Sequence, residues 1–87
     1  MFKVVFTKKA VNDISFLKAA KLDSKAKALI ELIKEDPFAV PPSFEKPQGI
    51  FKGAYSRRIN IKHRLVYEII ESDNIIKIIS LWSHYEF

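Results

Sequence analysis

Residues 54–82 read AYSRRINIKHRLVYEIIESDNIIKIISLW, and the periodicity of this stretch decides the fold. Apolar and polar side chains alternate at a period of two. Ile, Val and Tyr are abundant, and these residues fit a pleated, half-buried surface. The stretch divides into three strands, Ala54–Asn60, His63–Ile70 and Asn74–Trp82. The connections Ile61-Lys62 and Glu71-Ser72-Asp73 are short enough for hairpins.

Upstream the pattern changes twice. Residues 37–53 hold all four prolines and both glycines, which predicts a loop, and a long loop in a small domain is usually functional or partner-binding. Before it the period is helical. Ala10, Val11, Ile14, Leu17 and Ala20 mark a helix over 8–20 with Asp13 and the lysines on its wet side. Ala26, Leu29, Ile30 and Ile33 mark a second helix, capped by Asp23 or Ser24 and ended near Asp36 by Pro37. The Lys21-Leu22 link folds the two back as an antiparallel hairpin. Phe2–Phe6 is a short strand, with Thr7 as helix N-cap. The order β-α-α-β-β-β defines one α+β domain over 1–87: an antiparallel sheet with a helical hairpin on one face.

Composition narrows the function. Eighty-seven residues with an apolar fraction of 48% form one core rather than two domains or a disordered chain. Without cysteine there is no disulfide framework or thiolate site, and two histidines argue against zinc, so no metal or cofactor is expected. Charge interrupts every apolar run and the N-terminus lacks a signal-peptide pattern, so no membrane partner and a cytoplasmic address are expected. The net charge of +5 suits a nucleic-acid or an acidic protein partner.

The charge is concentrated where the chemistry could be. Lys46, Lys52, Arg57, Arg58, Lys62 and Arg64 follow one another with no acid between Lys46 and Tyr67. Guanidinium forks on strands suit a phosphodiester; the same arginines could instead pair with Glu68 or Glu71, or solubilise the sheet. Arg57 and Arg58 point to opposite faces, and Arg57 shares the parity of Tyr55 and Ile59, which suits a structural contact. His63 begins the middle strand and reads as a surface or hydrogen-bonded histidine. His84 lies in the aromatic run Trp82-Ser83-His84-Tyr85-Glu86-Phe87, after the last strand, and imidazole exchanges protons in the working pH range. It serves either as a proton donor or as a bystander to a core cap. Glu45, the only carboxylate between Asp36 and Glu68, is either a base held among arginines or a salt-bridge partner.

The stretch Gly53-Ala54-Tyr55-Ser56-Arg57-Arg58-Ile59-Asn60-Ile61-Lys62-His63-Arg64-Leu65-Val66-Tyr67 resembles the G-x-(W/Y)-S-R-R-I-x-x-x-H-R-L-V-Y core of the Txe/YoeB toxins, within the RelE/ParE superfamily. His84-Tyr85 resembles that family's His-Tyr ending, and Glu45 falls eight residues before the matching glycine, where the family keeps its glutamate. The chain departs from the family at Gln48, often lysine, and by the added Glu86-Phe87.

The resemblance implies a RelE-like microbial RNase fold and the toxin of a type II toxin–antitoxin pair, a metal-free endoribonuclease that cuts mRNA in the A site of the 70S ribosome. It implies Glu45 as general base, His84 as general acid, Arg58 and Arg64 on the scissile phosphate, and Tyr85 shaping the site. Lys46, Lys52, Arg57, Lys62 and His63 become candidates for RNA contact. The expected partner is a cognate antitoxin with an acidic, partly disordered segment, and a homodimer stays open. Two alternatives remain: a ParE-like toxin that inhibits DNA gyrase without nuclease chemistry, and an RNA- or ribosome-binding module without turnover.

Overall fold

Threonine at the strand-to-helix junction sets the first corner of the fold. The computed structural model describes residues 1–40, 43–46 and 54–84, with Ser83 and His84 described by their backbone. Strand β1 (Lys3–Phe6) leads through Thr7 into helix α1 (Lys8–Ala19). Thr7 is extended, and its hydroxyl accepts the Ala10 amide at 3.1 Å, satisfying an otherwise unpaired helix donor.

α1 ends in a left-handed residue, Lys21 (φ 59°). The Leu22 amide donates to Leu17 O at 2.8 Å and the Lys21 amide to Lys18 O at 3.1 Å. That reversal starts α2 (Asp23–Glu35), where Leu22 rather than Asp23 or Ser24 occupies the cap position and Asp23 complements the dipole from the first turn.

The sheet order is β1-β5-β4-β3-β2, with β2 at Phe44–Glu45, β3 at Ala54–Arg58, β4 at His63–Ile70 and β5 at Ile75–His84. Three features correct the expected sheet. β1 pairs with β5 in parallel (Lys3 opposite Ile75, Phe6 opposite Ile78), so the sheet is mixed rather than antiparallel. β2 lies inside the segment expected to be loop; two residues carry no period, and only pairing with β3 makes them a strand. β5 continues to His84, so this histidine belongs to the strand and does not follow it.

The helices cover one face of the sheet. Leu17, Ala26, Leu29 and Ile33 meet Leu65, Tyr67, Ile76, Ile78 and Leu81, and full burial of each large side chain contributes about 1.5–3 kcal/mol. On α1 the buried stripe is Ala10, Asp13 and Leu17, while Val11 is exposed. Asp13, expected in solvent, is inside.

Candidate functional site

Cross-strand register gathers the charged residues on the face away from the helices. Glu45 on β2 stands opposite Ser56, Ser56 opposite Val66, and Val66 opposite Ser80. In the next row Arg58 stands opposite Arg64, and Arg64 opposite Ser83. Arg64 Nη1 lies 3.2 Å from Glu45 Oε1 and 3.4 Å from the Ser56 hydroxyl. The Arg64 side chain is buried, whereas that of Glu45 is 48% exposed. A buried cation therefore backs a carboxylate that solvent can reach. Arg58 is exposed at the end of β3, where it also lines a cleft beside Lys25, Leu29 and Leu32 of α2.

The structure brings Glu45 and Arg64 into contact, with Arg58 opposite Arg64 on the neighbouring strand. His84 is further off: it stands opposite His63, one residue beyond the row of Arg64. Two strands separate β2 from β5, which at the usual strand spacing is about 14 Å between backbones. Lys46 and Lys62 are exposed, and Lys46 Nζ sits 5.7 Å from the centre of the Tyr55 ring. Lys52 and Tyr85 lie outside the described residues.

Two candidates for RNA contact, Arg57 and His63, are buried. Arg57 is 0% exposed. Its guanidinium donates to Tyr67 Oη at 3.0 Å, Ala39 O at 2.7 Å and Pro37 O at 2.9 Å, and lies 5.1 Å from the Phe44 ring. The Tyr67 hydroxyl in turn donates to Pro37 O at 3.0 Å. Arg57 thus straps the segment that leads from α2 to Glu45 onto the sheet. Burial raises the Tyr67 phenol above its ordinary range, and the neighbouring guanidinium opposes that shift. His63 is also buried, its ring stacked on Trp82 at 3.7 Å, and Trp82 stacks on Phe16 of α1 at 5.7 Å. Both residues are enclosed, Arg57 among Tyr67 and the carbonyls of Pro37 and Ala39, and His63 beneath the Trp82 ring.

Asp13 is the residue that sequence reasoning missed. Its Oδ2 accepts the Leu81 amide at 3.0 Å, the Trp82 amide at 3.2 Å and Lys9 Nζ at 2.8 Å. The available signal was its position, three residues after Ala10 and four before Leu17, on the buried stripe.

Among the described residues, no group of three His, Asp or Glu side chains is placed to hold a metal ion, and no helix is long and apolar enough to cross a membrane.

The pattern of the family described as "YoeB-like toxin of bacterial type II toxin-antitoxin system" matches residues 6–85. The chain is 36% identical over 86 residues to Toxin YoeB of Synechocystis sp., covering 97% of this chain and 98% of that protein. It superposes on the YoeB/ParE toxin from Agrobacterium tumefaciens with a TM-score of 0.85 at 32% identity, covering 97% and 100% of the two chains. With YoeB in the heterotetrameric YoeB-YefM toxin-antitoxin complex from Staphylococcus aureus the TM-score is 0.79 at 32% identity, covering 98% and 99%.

Proposed function

Because the chain belongs to the YoeB-like toxin family of bacterial type II toxin–antitoxin systems, we propose that it is an mRNA endoribonuclease that works in the ribosomal A site and stops translation. The observation that carries this reading is the Glu45–Arg64 contact, a half-exposed carboxylate on a buried guanidinium with Arg58 in the same row as Arg64. Cleavage of RNA through its own 2′-hydroxyl needs a base for that proton, cations for the phosphorane charge, and an acid for the leaving oxygen.

In this mechanism Glu45 takes the 2′-hydroxyl proton, and the 2′-oxygen attacks phosphorus. Arg58 and Arg64 stabilise the charge that develops on the phosphate oxygens. His84 protonates the departing 5′-oxygen, leaving a 2′,3′-cyclic phosphate and a 5′-hydroxyl. Tyr85 shapes the site, and the exposed Lys46 and Lys62, with Lys52, steer RNA to it. The chain's charge of +5 favours an antitoxin whose binding segment is acidic.

The test is mapping of cut ends on messenger bound to purified 70S ribosomes. Wild type is expected to give A-site cuts with cyclic phosphate ends. Glu45→Gln and His84→Ala are each expected to slow cutting by about 10²–10⁴-fold, the usual contribution of an acid or base. Absence of cut ends at saturating protein, or near wild-type cutting by both variants, would refute the reading.

A further inference from the structure

β2, which carries Glu45, is two residues long and stands last in the sheet order, beside β3. Two residues offer little backbone pairing with which to hold a strand in place. The side chain that precedes Glu45 adds to it. Phe44 stands opposite Arg57, on the face that carries Tyr55 and Leu65. Its ring meets Phe38 at 5.9 Å and Tyr55 at 5.6 Å, both edge-on, and the Arg57 guanidinium lies 5.1 Å from its centre.

The pocket that receives Phe44 is itself anchored. Arg57 donates to the carbonyls of Pro37 and Ala39, the residues on either side of Phe38, and the Tyr55 ring packs against Tyr67 at 5.9 Å. Lys46 Nζ also approaches the Tyr55 ring, so both chain neighbours of Glu45 are held on that face. Successive side chains of a strand point to opposite faces, and with Phe44 seated the Glu45 carboxylate is turned to the other face, where it meets Arg64 at 3.2 Å. A slip of one residue would exchange the two side chains and carry the carboxylate away from Arg64.

We propose that Phe44 is a positioning residue of the cleavage site: seated among Phe38, Tyr55 and Arg57, it fixes the register and facing of β2 and so holds the Glu45 carboxylate against the Arg64 guanidinium. This rests on the reading of Glu45 as the general base. Phe44 acts only through Glu45 and takes no part in the chemistry.

The experiment is a double-mutant cycle between Phe44 and Glu45, read as the single-turnover rate of A-site cutting at saturating ribosome–messenger complex. Phe44→Ala is expected to cut about 10–10²-fold more slowly than wild type, the cost of a base misplaced by about 1 Å. Phe44→Tyr keeps the ring and is expected to recover to within about 3-fold of wild type. In the Glu45→Gln background no base remains to be placed, and there Phe44→Ala should slow cutting by less than about 3-fold. A loss of fold or of RNA contact would instead slow both backgrounds alike. Should Phe44→Ala not unfold cooperatively in urea, Phe38→Ala removes one wall of the pocket from a 43% exposed position and goes through the same cycle, with Phe38→Tyr as its rescue. Wild-type cutting by the alanine variant, no recovery with tyrosine, or equal slowing in both backgrounds would overturn the inference alone. Wild-type cutting by Glu45→Gln would overturn the base assignment and the inference with it.

Discussion

Replacing Arg57 by leucine should cost this domain a large share of its stability. The guanidinium is fully enclosed and donates to Tyr67 Oη, Ala39 O and Pro37 O. Hydrogen bonds from a charged donor are each worth about 1.5–3 kcal/mol net, so three represent about 4–9 kcal/mol. Removing the charge also removes its desolvation penalty, several kcal/mol for a buried ion, which offsets part of that loss. Leucine leaves the partly buried Ala39 carbonyl without this donor, which costs about 1 kcal/mol, the low end of the range for an unsatisfied buried acceptor. The balance is a loss of about 3–5 kcal/mol, against a total of about 4–13 kcal/mol for a domain of this length. In urea, with a slope of about 1–3 kcal/mol per molar, the midpoint should fall by roughly 2 M. Lysine should recover less than half of the loss, since an ammonium cannot span three acceptors as a planar fork does. Hydrogen exchange should show the release locally first, at the amides of Phe38 and Ala39, which are bonded to Asp36. A loss under about 1 kcal/mol, or exchange at Phe38 and Ala39 unchanged from wild type, would refute the strap.

Three further outcomes are expected. Lys21 is a non-glycine residue at φ 59°, and Lys21→Gly should stabilise the protein by about 1 kcal/mol in the same urea assay, because glycine carries no left-handed penalty. The Tyr67 phenol is raised in the folded state above its unfolded value of about 10, so the stability it contributes is complete below that pH and falls as pH rises through the folded value. Alkaline unfolding followed with tyrosine absorbance should show one phenol ionising late, and Tyr67→Phe should abolish that late step. Trp82 is the sole tryptophan, so its emission reports the Phe16–Trp82–His63 stack; Phe16→Ala should red-shift it and cost about 1 kcal/mol.

Part of the candidate site was legible in the chain, because a carboxylate and arginines are recognised by residue type. A single carboxylate ahead of an arginine cluster is visible without coordinates, and the Glu45–Arg64 contact joins two of those residues. What each charge does was not legible. Arg57 and Arg58 are adjacent, yet one is enclosed under a loop and the other is exposed. Strand parity separated them, but the carbonyls that receive Arg57 lie 18 and 20 residues upstream. His63 likewise had nothing local to signal the Trp82 ring that covers it.

Sequence by itself determined both helices, the Thr7 cap, the first strand and the three later ones, since period, caps and breakers act between residues one to four apart. Tertiary structure decided the parallel seat of β1 beside β5, the two-residue β2, the extension of β5 to His84 and the burial of Asp13. The physical reason is separation along the chain. Asp13 and the Leu81 amide are 68 residues apart, and a carboxylate that reads as solvated on its own helix is drawn inside only when a distant strand arrives with two amides to satisfy.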